Sequence, residues 1–173
     1  MHISKPIEGL YPPPFDRYLV LVPEGDIAQM LQEQEREIAG LYRTFSEEQS
    51  LLRYGEGKWS LKEVLGHIMD TERVMSYRLL IAARGDKTPL PGHPDQFVNG
   101  TSFDRRTLES LLHEFHTVRS AALSLLQSLT PEEYANTGIV RESATSASAL
   151  AYFILGHAKH HVTIIRERYL PLL

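Results

Sequence analysis

Hydrophobic and polar positions alternate along this chain with a helical period. Ile27, Met30, Leu31, Ile38, Leu41, Tyr42 and Phe45 recur at helical spacing and Asp26 ahead of them is a good N-cap, which predicts a first helix over 26–45. A second helix is predicted from Ser60 to about Ala83. Ser60 and Glu63 form a capping-box pattern, Trp59 before them is placed to staple onto Val64, and Leu61, Val64, Leu65, Ile68, Val74, Met75, Leu79 and Leu80 cover a broad face. The third predicted helix, about 104–129, carries Leu108, Leu111, Leu112, Phe115, Val118, Ala122, Leu125 and Leu126 on one side. Thr130-Pro131-Glu132-Glu133 then reads as the cap and first turn of a short helix. A fourth long helix is predicted from Ser146 or Ser148 to Arg168, with Pro171 ending it.

The intervals between these stretches are long. Tyr11-Pro12-Pro13-Pro14 excludes helix near the start, so residues 1–23 are expected to form an irregular arm whose Phe15, Tyr18, Leu19, Val20, Leu21 and Val22 pack along the body. Residues 85–101 hold Pro89, Pro91, Pro94, Gly92 and Gly100 and read as a loop, either a lid over a site or a plain crossover. Residues 138–145 read as a connection, and no pair of segments has the pattern of paired strands. The expected architecture is all-α: one domain over 1–173, built as a four-helix bundle with long connections after the second and third helices.

Composition narrows the function. A net charge of −4 with the basic residues scattered argues against a nucleic-acid partner, which needs a dense positive footprint, and against an anionic membrane surface. The absence of cysteine removes disulfides, thiolate ligands and a cysteine nucleophile together. No stretch approaches the roughly twenty apolar residues that span a bilayer and no secretory signal is visible, so a cytoplasmic protein is expected.

The candidate chemistry lies in the fourth helix, whose apolar stripe runs Leu150, Phe153, Ile154, His157, His161, Ile164, Arg168. His157 and His161 replace hydrophobes there, four residues apart on one face. His160 is rotated about 60° from His157 and about 100° from His161 and is expected outside the pair. His67 occupies the apolar stripe of the second helix in the same way, on a line with Val64, Thr71, Val74 and Arg78. Three inward imidazoles on two helices are the donor set of a divalent-metal site with positions left open for water or substrate, and zinc or nickel is the expected ion, with iron or manganese as alternatives. The competing reading is a set of core histidines hydrogen-bonded to backbone or carboxylate. Asp70 is placed to orient His67 from behind, while Glu72 reads rather as part of a solvated acidic face; Asp70, Glu72 and His160 are the candidates for acid–base work. Arg78 and Arg168 would be costly to bury unpaired, and either suits an anionic substrate. His93, in the proline-rich loop, is placed to approach an open site from above.

The segment from Trp59 to Glu72, with its single His67, together with Gly156-His157-Ala158-Lys159-His160-His161, resembles the DinB-like superfamily of metal-dependent enzymes. The stretch from Tyr18 to Asp26 and the Leu90-Pro91-Gly92 turn look like it too, although His93 stands where relatives often carry an aromatic residue. The resemblance spans nearly the whole chain. It implies helices in up-down-down-up order, a divalent ion held by His67, His157 and His161, and a homodimer. It also implies a small-molecule substrate, since relatives transfer low-molecular-weight thiols to electrophiles, isomerise substrates with a thiol cofactor, or are grouped with hydrolases. The rival from another class is a structural dimeric bundle whose metal, if any, is not catalytic.

Overall fold

In the computed structural model, which describes residues 2–90, 98 and 100–173, the periodic stretches form helices. Among the described residues these are α1 (Asp16–Leu19), α2 (Ile27–Tyr42), α3 (Leu61–Ala83), α4 (Leu108–Ser128), α5 (Pro131–Ala135) and α6 (Ala147–Ile164). Each long helix starts where a side chain satisfies its first free amides. Asp26 accepts from the Gln29 amide, Thr107 from Ser110 and Ser146 from Ala149, while Ser60/Glu63 and Thr130/Glu133 close full capping boxes.

Three expectations need correction. α4 begins at Leu108 because Thr107 caps it and Arg106 is extended, which leaves Phe103–Arg105 as a separate 3-10 turn. The supposed connection near 138–145 is a hairpin, β3 (Thr137–Val140) against β4 (Ser143–Ser146), and its turn is built from Arg141 and Glu142 at φ 46° and 67° rather than from the Asn-Gly type of residue that announces such turns. α6 gives way after Ile164 to a π-turn over Ile165–Tyr169, and Pro171 lies in a final 3-10 turn. The N-terminal arm is seated on the bundle: β1 (His2–Ile3) pairs with β2 (Gly25–Asp26), Phe15, Tyr18, Leu19 and Val22 are buried, and the Tyr152 hydroxyl donates to the Ile3 carbonyl at 2.6 Å.

Side-chain contacts fix the directions. Lys62 reaches Arg106 and Arg73 reaches Glu114, so α3 and α4 run parallel; Gln34 meets Arg119 and Glu47 meets Leu108, so α2 and α4 are antiparallel. His67 meets His157 while Trp59 meets Tyr169, which makes α3 and α6 antiparallel. This is the up-down-down-up four-helix bundle, and a parallel neighbour pair requires the long crossover between α3 and α4.

The core is split into two apolar clusters. One gathers Leu31, Met75, Leu123 and Leu155 with the arm, and the other gathers Ile38, Met69, Phe115 and Ala158. Between those levels every helix of the bundle contributes polar side chains: Gln34, Thr71 and Glu72, Arg119, and His157 are all buried. The candidate site lies in this polar layer.

Candidate metal centre

Glycine precedes the histidine on both ligand-bearing helices, and in each case the space is used. A β-carbon at Gly66 would lie 2.3 Å from the Phe103 ring, and one at Gly156 would lie 2.2 Å from the Tyr18 carbonyl oxygen. The 3-10 turn therefore closes on α3 beside His67, and the arm closes on α6 beside His157. Tyr18 consequently sets its ring 5.4 Å from the rings of both His157 and His160, and Phe153 stacks on His157 at 5.6 Å. Trp59, ahead of the α3 capping box, lies 4.7 Å from the His67 ring.

Within this aromatic wall the Nε2 atoms of His67 and His157 are 3.0 Å apart, and those of His161 and His157 are 3.2 Å apart. The ligand atoms of the three histidines all lie within 4.8 Å of one another, and all three residues are buried. One proton on His157 cannot serve both of these contacts. The single in-plane site on His157 Nε2 either carries a hydrogen or accepts one, so it cannot complete good bonds with two other nitrogens at once. A cation satisfies all three lone pairs. Nitrogens bound at about 2.0–2.1 Å to one ion and 3.0–3.2 Å apart subtend roughly 91° to 106°, between octahedral and tetrahedral values. An ion bound by all three at these lengths needs the His67 and His161 nitrogens no more than about 4.2 Å apart, so the outer pair of a cluster spanning 4.8 Å closes in on the ion as it binds. The donor set, three neutral imidazoles, is one that suits a divalent ion.

Electrostatics favours the neutral, ligating form of one member. Burial holds His161 well below the ordinary imidazole pKa, helped by the charges of His67, His160 and Arg17. His160 is half-buried, 5.3 Å from the His161 ring and outside the cluster, and burial and Arg17 lower it too.

A DinB superfamily model matches residues 30–165, most of the chain and both histidine segments. The chain belongs to the DinB superfamily. Its fold is similar to that of YfiT from Bacillus subtilis, described as a probable metal-dependent hydrolase with an unusual four-helix bundle topology. The likeness has a TM-score of 0.75 at 16% identity and covers 98% of this chain and 93% of that one, so it speaks for the fold. No curated protein matches the sequence. For this DinB superfamily member, then, the fold and a buried three-histidine cluster stand together on one chain.

The acidic candidates are placed otherwise than the sequence suggests. Asp70, expected behind His67, instead accepts a hydrogen bond from Arg73 at 3.0 Å. Glu72, expected on a solvated face, is buried and chelates Arg119 of α4 at 2.7 and 2.9 Å. Arg119 is itself fully buried and donates also to the Leu31 carbonyl at 2.9 Å and to Gln34, whose amide donates to the Leu155 carbonyl at 2.9 Å. One guanidinium thereby ties α2, α3, α4 and, through Gln34, α6 two residues before His157. Sequence reasoning missed it, since a lone arginine on an amphipathic helix reads as exposed. Arg168 is exposed and Arg78 is buried. His93 and residues 91–97 lie outside the described residues. Among the described residues no helix is long and apolar enough to cross a membrane.

Proposed function

We propose that the protein is a metal-dependent enzyme acting on a small molecule, with His67, His157 and His161 as the ligands of one divalent ion, zinc or nickel before iron or manganese. The observation that carries this reading is the convergence of three buried imidazoles from two helices, with one nitrogen of each within 4.8 Å of the others. A divalent ion there supplies Lewis acidity and brings the pKa of a bound water or thiol toward neutrality. The rings of Trp59, Tyr18 and Phe153 shield the triad from bulk water, which strengthens every electrostatic interaction inside. Asp70 and Glu72 are engaged by arginines, so the proton of the attacking nucleophile is assigned to His160, which its lowered pKa keeps neutral and receptive near pH 7. With no cysteine in the chain, a thiol nucleophile comes from outside as a low-molecular-weight thiol. The reaction assigned to this site is hydrolysis or thiol transfer, and the reading includes a cytoplasmic homodimer.

Trp59, the sole tryptophan, reports on the site. Metal-free protein prepared without an affinity tag is titrated with zinc and with nickel while Trp59 emission is followed. A change that saturates at one equivalent and is lost in His157→Ala is expected. Absence of stoichiometric binding by zinc, nickel or manganese overturns the reading. Turnover of an ester panel without thiol then identifies a hydrolase, turnover of electrophiles that depends on added thiol identifies a transferase, and turnover of neither leaves a non-catalytic metal protein and refutes the enzyme.

A further inference from the structure

The face of α3 that carries His67 continues past the triad through Thr71 and Met75 to Arg78, in steps of four, four and three residues that keep one line on a helix. Beyond His157 this line borders a cavity of about 130 Å³. Its wall brings together guanidiniums from three separate elements: Arg17 of the arm, Arg78 of α3 and Arg141 at the tip of the β3–β4 hairpin. No Asp or Glu is among the described residues that line it, although the chain as a whole carries a net charge of −4. Arg78 is buried, and burial first and the charge of Arg141 second lower its pKa. Arg17 lies 4.6 Å from the centre of the Tyr18 ring and donates to its hydroxyl, which fixes it at the rim.

Two further observations point to a ligand. The Thr71 hydroxyl, 4% exposed and part of the wall, has no hydrogen-bond partner among the described residues, a deficit that a ligand oxygen removes. Arg141 sits at φ 46° in a two-residue turn, a left-handed position where Asn or Gly is strongly preferred. A long β-carbon-bearing side chain held in such a conformation beside a cavity is the kind of local cost that function retains.

We propose that this cavity is an anion site: it takes a compact oxyanion, a carboxylate or a phosphate, with Arg17 and Arg141 supplying the charge at its mouth and the Thr71 hydroxyl a hydrogen bond from its wall. The oxyanion is one end of the substrate, whose reacting bond then falls at the triad next to His157; that last clause rests on the enzyme reading, and the anion site itself does not.

The test uses the full chain, metal-free and zinc-loaded, titrated calorimetrically with sodium phosphate and with sodium succinate against chloride at matched ionic strength. Saturable binding of one or both is expected in both states, and the tighter of the two identifies the substrate's anionic group. Arg141→Asn, which suits the left-handed turn and so keeps the hairpin, weakens binding roughly tenfold or more, as expected for the loss of a charge-assisted hydrogen bond. Arg141→Lys retains most of the affinity, Thr71→Val loses several-fold, and Arg36→Gln on the exposed face of α2 changes nothing. No saturable binding beyond chloride overturns the proposal, as does an Arg141→Asn variant that binds like the parent. Anion binding in a protein that takes no zinc leaves this site standing and removes the enzyme reading; zinc binding without anion binding does the reverse.

Discussion

Arg119→Met is the substitution that most directly probes how the polar layer is held. The guanidinium is fully buried, its Nε and Nη2 meet the two Glu72 oxygens at 2.7 and 2.9 Å, and its remaining hydrogens reach Leu31 and Gln34. Methionine approximates the volume but leaves the Glu72 carboxylate, 2% exposed, without its counter-charge. Removing one partner of a buried pair costs about 3–5 kcal/mol. Set against a total stability of about 5–15 kcal/mol for a chain of this kind, that is a fifth or more of the margin. At about 2–4 °C per kcal/mol, the melting temperature falls by roughly 6–20 °C. The assay is urea unfolding of the parent, Arg119→Met, Glu72→Leu and the double variant, analysed as a cycle. The double variant should recover most of the loss, because a buried pair replaced by apolar groups is often close to neutral. Zinc affinity should fall in the single variant as well, since Gln34 passes the same network on to Leu155 and thus to the register of α6 against α3. A loss below about 1 kcal/mol in Arg119→Met, or a double variant no more stable than the single, refutes the account of the layer.

Two further outcomes follow from the site itself. His161 has a depressed folded pKa, so the unfolded chain binds its proton first: the metal-free protein keeps this contribution above the unfolded value of about 6.5 and loses it as pH falls toward the folded pKa, by up to about 1.4 kcal/mol per pH unit. Urea midpoints at pH 7.5, 6.5 and 5.5 should therefore fall, less steeply in His161→Leu, and zinc affinity should drop over the same range because protons compete for the ligand nitrogens; midpoints and affinities flat across that range contradict the assignment. Gly156→Ala places a β-carbon 2.2 Å from the Tyr18 carbonyl oxygen, which is backbone and cannot swing aside, so about 1–3 kcal/mol of overpacking should appear together with faster proteolysis within the arm. An arm as resistant as the parent's would show that it is not seated on α6 as described.

Much of the bundle is legible in the chain, because its signals are local. Ser60 with Glu63, Thr130 with Glu133 and Asp26 each start a helix by bonding amides within three residues, and the apolar period needs no knowledge of the partner surface. His160 could be set apart from His157 and His161 by angle alone, and it lies outside the cluster. The hairpin escaped notice because its turn residues, Arg141 and Glu142, adopt positive φ against their own preference, under tertiary contacts that no local pattern encodes.

What the sequence by itself determined is the helical class, the caps that bound the helices and the family, all of them properties of neighbours along the chain. Only the tertiary structure decided that three Nε2 atoms meet beside Trp59, that Glu72 is matched by Arg119 rather than by water, and that Arg17, Arg78 and Arg141 surround one cavity. The physical reason is the same in each case. Whether a polar side chain faces solvent or a partner depends on which helix packs against it, and that choice is made between residues some 47 to 90 positions apart.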